Sequence, residues 1–229
     1  MLKLTIILSI VLSFTAMAST SHPHLSEVPK ACKSEVIPNT FKHHSDFAPD
    51  LRAQPAYEES IIAIANGLVA LGEGIYTLSS KFKPTISTEY APINVVPYNA
   101  ATKVVVSPFE LEGFSDLVVK TVSTKCMNAY NQTVVTFVYN VFYSYGGNYR
   151  GKGKYLSSIV IVPSYVQVAT GWTFTSSMKV SSVTNHSTTA DPVAGIFLSM
   201  KYSVASLFAA VEKNDTIYIK GDGQFKSMQ

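Results

Sequence analysis

The sequence predicts a mainly β protein, α+β by content, in which an antiparallel β-sandwich or a curved, barrel-like sheet packs against one N-terminal amphipathic helix. Two patterns carry this prediction. Between Pro55 and Phe82 apolar residues recur at helical spacing, whereas after Pro84 the apolar period falls to two and the residues become β-branched and aromatic. Because only short turn segments separate the β-type runs, antiparallel neighbours are expected.

The chain opens with a predicted secretory signal peptide over residues 1–18. A short basic start, Met1-Leu2-Lys3, leads into an apolar run too short to span a bilayer, and Ala16-Met17-Ala18 supplies the small residues that signal peptidase reads. We therefore expect the mature chain to begin at Ser19. It would be exported to the periplasm or the extracellular space, with no transmembrane segment.

Residues 19–54 are predicted to form an irregular N-terminal arm, and residues 55–229 the helix plus antiparallel β domain. The arm holds Pro23, Pro29, Pro38 and Pro49 and four of the five histidines, with little apolar periodicity. Proline fixes φ and removes a ladder donor, so this segment can lie along a domain but does not suit a central strand.

Two cysteines, Cys32 and Cys126, are expected to form one disulfide in an exported chain. The bridge would close a loop of about 95 residues and stabilise the fold by ~4 kcal/mol on the chain-entropy model. The alternative is two unpaired, buried thiols.

The predicted helix begins at Pro55, which suits a first helical turn, and Glu58 and Glu59 follow where the helix dipole favours negative charge. Pro84 would end it. Glycines weaken it internally. Its apolar stripe comprises Ile61, Ile64, Ala65, Leu68, Leu71, Ile75, Leu78 and Phe82.

Eight strands are predicted after Pro84, each with alternating inward and outward residues. In the run from Trp172, for example, Trp172, Phe174 and Met178 share one face and polar residues share the other. The predicted strands lie near residues 85–96, 102–106, 114–126, 133–145, 154–168, 172–183, 193–206 and 216–220.

The most distinctive local feature is a glycine-rich hairpin over residues 143–155 in which cations alternate with tyrosines. Flat tyrosine faces suit sugars or headgroups, and the cations suit phosphate or carboxylate. The alternative is an ordinary turn whose basic residues keep the strand ends soluble. The candidate ligand-binding residues are Tyr143, Tyr145, Tyr149, Arg150, Lys152, Lys154 and Tyr155.

Other candidate sites are weaker. Histidine pairs at His22/His24 and His43/His44 lack the spacing of a zinc site, and Asp215 and Asp222 are interpreted as turn residues rather than calcium ligands. Glu110 and Glu112 would share a side if that segment is extended, which is the only carboxylate pair that suggests acid–base work. The sequence names no catalytic residue, metal or cofactor.

Low charge argues against nucleic-acid binding. Only 14% of residues are charged, and the formal charge of +3 falls to about +2 without Lys3, with the basic residues dispersed among acidic ones.

The leading hypothesis is an exported, non-enzymatic β-sandwich that binds or scaffolds a partner of the cell envelope or extracellular space: a glycan, a lipid headgroup or a protein. Two alternatives stay open. One is a hydrolase of envelope polymers that uses Glu110 and Glu112, and the other is a lipid carrier whose helix covers an apolar cavity.

Overall fold

The computed structural model of the protein describes residues 29–38, 61–72, 76–81, 83–86 and 92–229. The predicted signal peptide, the four histidines of the arm and the predicted start of the helix at Pro55 lie outside the described residues.

The described chain is mainly β. Its strands are β1 (Pro29–Ile37), β2 (Ile61–Ala65), β3 (Leu68–Leu71), β4 (Tyr76–Lys81), β5 (Lys83–Ile86), β6 (Ile93–Asn99), β7 (Val104–Val105), β8 (Val118–Asn128), β9 (Thr133–Tyr149), β10 (Lys152–Val168), β11 (Thr173–Asn185), β12 (Ala194–Ala205), β13 (Ala210–Lys220) and β14 (Phe225–Met228). A 3-10 turn, Pro108–Glu110, precedes β8. No helix among the described residues is long and apolar enough to cross a membrane.

The strands form two antiparallel sheets. The first sheet has the order β1-β8-β9-β10-β6-β3-β2, with β7 added beside β6, and the second has the order β14-β13-β12-β11-β4-β5. Period-two alternation places one face of each central strand in a shared core, where the Phe137 ring of the first sheet lies 5.1 Å from the Phe174 ring of the second. Sequence reasoning predicted this antiparallel, mainly β character correctly.

The helix predicted from Pro55 to Phe82 is wrong for the residues that the structure describes. Strands β2 and β3 form a hairpin, and Asn66 and Gly67 turn the chain with φ of 45° and 82°. Two positive φ values are what a two-residue hairpin turn needs, and Asn-Gly provides them at low cost. Leu68–Leu71 is fully buried between β2 and β6, so its apolar residues form a continuous run rather than a helical stripe.

Part of the predicted irregular arm is a strand. Pro29–Ile37 forms the edge of the first sheet, pairing only with β8 among the described strands. Pro29 is its first residue and Pro38 follows its last, so neither proline interrupts the hydrogen-bond ladder. The predicted disulfide is confirmed: Cys32 lies directly opposite Cys126 on β8, and the two are bonded.

The turns between the long strands collect at two opposite ends of the molecule. The cationic end comprises the Arg150–Gly151 turn between β9 and β10, residues 186–193 between β11 and β12, and residues 221–224 between β13 and β14. At this end the sheets touch through a backbone hydrogen bond of 2.8 Å from the Lys154 amide of the first sheet to the Pro192 carbonyl of the second. The apolar end comprises residues 129–132, 169–172 and 206–209.

Candidate functional site

The β9–β10 hairpin ends in a two-residue turn whose first residue is Arg150. Arg150 and Gly151 have φ of 53° and 74°. This pair of left-handed conformations matches the twist of the two strands, and asparagine, aspartate and glycine are the residues that usually adopt it. An arginine at the first position is therefore held in a conformation that its side chain disfavours.

Two of the predicted ligand-binding tyrosines belong to the core instead. Tyr143 is fully buried and Tyr155 nearly so. The Tyr143 ring stacks on Phe225 at 6.1 Å, and its hydroxyl donates to the carbonyl of Gly223 at 3.4 Å. Alternation along the long strands points these rings inward, so they support the hairpin and present no face to a ligand.

The remaining predicted residues form the surface of the hairpin end, residues 145–154, which we call the tip. Arg150, Lys152 and Lys154 are exposed, and Tyr145 and Tyr149 are half-buried. The Arg150 guanidinium lies 5.0 Å from the centre of the Tyr149 ring, a cation–π distance that orients the charge.

No described carboxylate forms an ion pair with these three cations. The ion pair at this end joins Lys220 to Asp222, 2.6 Å apart. A hydrogen bond and charge attraction lower the pKa of Asp222 and raise that of Lys220. Among the described residues, therefore, no carboxylate pairs with the tip cations in place of an anion from solution.

One hydrogen bond fixes the tip to the β11–β12 turn, and another fixes it within the hairpin. The Gly153 amide donates to Asp191 Oδ1 at 2.8 Å, and the Gly151 amide donates to Asn148 Oδ1 at 2.9 Å. The Tyr155 ring packs so closely over Gly153, itself at φ 84°, that a Cβ there would overlap the ring. Burial, with a smaller contribution from the Asp191 charge, raises the pKa of Tyr155 to about 12, which keeps its hydroxyl neutral.

Sequence reasoning missed a hydrogen-bonded group beside this end, the His186 cluster, in which one histidine contacts Thr184 and Tyr218. His186 Nε2 lies 2.7 Å from Thr184 Oγ1 and 2.8 Å from the Tyr218 hydroxyl. The imidazole lies over Gly195, where a Cβ would collide with it. Burial raises the pKa of Tyr218. No pattern in the sequence marked this single histidine, because its partners come from β11 and β13.

Among the described residues, no metal-binding group surrounds His186. A metal ion needs several nitrogen, sulfur or carboxylate ligands, and no group of three or more histidines, cysteines, aspartates or glutamates is positioned to hold one among the described residues. His186 joins β11 to β13 through its hydrogen bonds to Thr184 and Tyr218.

The two glutamates considered for acid–base work do not lie on one extended segment. Glu110 ends the Pro108–Glu110 turn, and its carboxylate accepts from the Ser107 amide at 3.3 Å as part of a capping box. Glu112 pairs through its backbone with Asn148 instead. Both side chains are exposed on the surface, and the two carboxylates lie on different backbone elements.

Asp215 is not a turn residue, contrary to the sequence prediction. It lies within β13, 3% exposed, and accepts from the Tyr202 hydroxyl at 3.0 Å and from the Ser34 hydroxyl of β1. These bonds tie the edge strand of the first sheet to the second sheet. Asp222, in contrast, does lie in a turn, where it accepts from the Gln224 amide at 3.2 Å.

Burial raises the pKa of two tyrosines around this carboxylate, with the Asp215 charge as a smaller cause. Tyr202 donates to it, while the Tyr139 hydroxyl is buried with no hydrogen-bond partner among the described residues. The cluster is enclosed between the sheets and serves to hold β1.

Comparison with known proteins gives no match to a family model, a curated protein or a solved structure. Any functional assignment therefore rests on the chemistry of the site.

Proposed function

We propose that the protein is an exported, non-enzymatic β-sandwich that binds an anionic glycan of the cell envelope or extracellular space through the hairpin tip. Disulfides persist in oxidising compartments, and the Cys32–Cys126 bridge is in keeping with such a location. The predicted signal peptide supports the same destination.

The observation that carries the proposal is the conformation of Arg150. A left-handed backbone disfavours arginine by roughly 1 kcal/mol, whereas asparagine or glycine would turn the hairpin without that cost. Strain of this kind clusters at functional sites. A cation at the apex of a hairpin is useful for contacting an anion.

Rigidity of the tip favours binding over simple solubility. Asp191 and Asn148 hold the backbone, and Tyr149 holds the guanidinium, so little conformational entropy would be lost when a ligand is bound. Arg150 can pair with a carboxylate or sulfate in a bidentate manner, and Lys152 and Lys154 add charge beside it. A half-buried Tyr149 also offers apolar surface to a sugar ring.

The variant Arg150→Asn tests the proposal. It removes the charge but supplies the residue that the turn prefers, so we expect the melting temperature to be unchanged or higher. Affinity for a carboxylated polysaccharide such as polygalacturonate, measured by microscale thermophoresis at low ionic strength, should fall about tenfold. Neutral dextran should bind neither protein.

Two variants serve as controls. Lys103 is also an exposed cation in the left-handed conformation, with φ 56°, so Lys103→Asn repeats the backbone change at another turn. Lys125→Asn removes an exposed cation near the apolar end without a backbone effect. Equal binding of polygalacturonate by the wild type and Arg150→Asn, or an equal loss in Lys125→Asn, would refute a site at the tip.

A further inference from the structure

The turn between β12 and β13 presents two large apolar side chains to solvent. Leu207 is 88% exposed and Phe208 is 61% exposed. They occupy the centre of a turn that Ser206 closes: the Ser206 amide donates to the Ala209 carbonyl at 2.8 Å, and its hydroxyl accepts from the Phe208 and Ala209 amides at 3.3 Å. The turn therefore keeps this Leu-Phe pair projecting outward.

A second aromatic side chain projects from the same end. Tyr130, in the turn between β8 and β9, is 55% exposed, and Asn128 fixes that turn by accepting from the backbone amides of Tyr130 and Gln132. Tyrosine prefers the boundary between apolar and aqueous surroundings, because its ring is apolar and its hydroxyl is polar.

Charge at the apolar end has mainly one sign. Among the described residues within three positions of the strand ends here, the only carboxylate is Glu212. The cations in the same set whose side chains the structure describes are Lys30, Lys125 and Lys213. Carboxylates are instead found at the opposite end, in Glu112, Asp191 and Asp222.

We propose that the apolar end docks on an anionic phospholipid bilayer, with Leu207 and Phe208 inserting at the acyl boundary and Tyr130 lying at the headgroups. Apolar tips gain free energy by leaving water, and lysines near an anionic surface add attraction. Charge selects this partner over a neutral apolar surface, because three described lysines with one glutamate match anionic headgroups.

A turn elsewhere in the chain provides a contrast. Phe109 is 97% exposed, more than either residue of the Leu-Phe pair, but acidic Glu110 and Glu112 flank it. Anionic headgroups would repel this surface. Both turns thus expose an apolar ring. They differ in the sign of the surrounding charge, which favours membrane binding only at the Leu207-Phe208 turn.

Co-sedimentation with lipid vesicles tests the proposal. The purified exported protein should bind vesicles of phosphatidylcholine containing about one third phosphatidylglycerol, and should not bind phosphatidylcholine alone. The double variant Leu207→Ser/Phe208→Ser should bind about tenfold more weakly, since it loses the inserted apolar surface. Phe109→Ser should bind like the wild type. Thermal melting of both variants checks that they are folded.

A spectroscopic measurement locates the inserted residue. Trp172 is the only tryptophan and is buried, so Phe208→Trp adds one exposed reporter. Lipids brominated on their acyl chains should quench the new emission in anionic vesicles and leave Trp172 emission in the wild type unquenched.

Three results would overturn the proposal. The first is no binding of the wild type to anionic vesicles, and the second is equal binding by the double variant. The third is vesicle binding that is lost in Arg150→Ala/Lys152→Ala/Lys154→Ala but kept in Leu207→Ser/Phe208→Ser, which would assign the membrane to the tip. The proposal does not depend on glycan binding at the tip, since Arg150→Asn and the Leu-Phe variant test the two ends separately.

Discussion

The two ends of the molecule hold their turns in different ways. At the cationic end, backbone and side-chain hydrogen bonds fix the tip, and Arg150 is kept in a strained conformation. At the apolar end, the Cys32–Cys126 bridge lies two residues from the end of β8 and Trp172 is buried beneath the turns. Side-chain hydrogen bonds therefore hold the turns at both ends. The apolar end adds a covalent link and a buried core residue, which support turns that expose apolar side chains.

The largest effect is expected from removing the covalent link. Cys32→Ala/Cys126→Ala should lower the free energy of unfolding by ~4 kcal/mol, because the bridge spans 94 residues and restricts the unfolded chain. Urea denaturation measures the change. Hydrogen exchange should show that amides of β1 lose protection before those of β9 and β10. An unchanged urea midpoint would mean that the apolar end does not depend on the bridge.

Disrupting the contact between the two sheets at the cationic end should have the next largest effect. A Cβ at Gly221 would overlap the carbonyl oxygen of Lys154, so Gly221→Ala should cost about 2 kcal/mol as the two sheets separate locally. Gly151→Ala is the matched control: a Cβ there meets nothing within 4 Å, and only its φ of 74° opposes the change, by about 1 kcal/mol. Chemical denaturation that ranks the two in the opposite order would contradict this view of the contact.

Alkaline pH should loosen the hairpin that carries the tip. Burial raises the pKa of Tyr143 and of Tyr155 to about 12, so each hydroxyl binds its proton more tightly in the folded state. Their contribution to stability is complete below pH 10, the ordinary tyrosine value, and is lost as the pH rises toward 12. At about pH 11 the loss should be roughly 1 kcal/mol for each tyrosine.

The double variant Tyr143→Phe/Tyr155→Phe isolates that contribution. Its free energy of unfolding should fall less steeply between about pH 9 and 11 than that of the wild type, since phenylalanine does not titrate. Tyr143→Phe also removes the hydrogen bond to the Gly223 carbonyl. The free energy of unfolding of each protein is therefore compared with its own value at about pH 7. Parallel pH profiles of the two proteins would show that other groups control the alkaline transition.

The smallest expected effect concerns the exposed apolar residues themselves. Phe109→Ser and Leu207→Ser should each change the free energy of unfolding by less than about 0.5 kcal/mol, because both side chains already lie mainly in water. Any difference between these variants in vesicle binding would then reflect the bilayer and not the fold. A loss above about 1 kcal/mol in Leu207→Ser would instead identify the turn as part of the core.

The strands with clean alternation were predictable. β8 to β12 lie within a few residues of the predicted ranges, since the pattern along each strand is enough to place one face in the core. The hairpin around Ile61–Leu71 was not, because β3 is buried on both faces and its continuous apolar run matches a helical stripe equally well. Asn66-Gly67 was the local signal that could have separated the two.

The sequence located the hairpin tip but did not show which of its residues face solvent. The sequence marked the cations and tyrosines together, but it did not show that Tyr143 and Tyr155 point inward while Arg150, Lys152 and Lys154 face solvent. His186 gave no signal, because Thr184 and Tyr218 meet it only when β11 and β13 lie in one sheet.

By itself the sequence determined the antiparallel, mainly β class and the Cys32–Cys126 pairing, because alternation and an even cysteine count are local or compositional properties. Tertiary structure alone decided the burial of Asp215 against Ser34 and Tyr202 and the separation of an acid-poor apolar end from a mixed-charge cationic end. These features depend on which strands become neighbours, and strand order is set by long-range packing that no segment of the chain encodes alone.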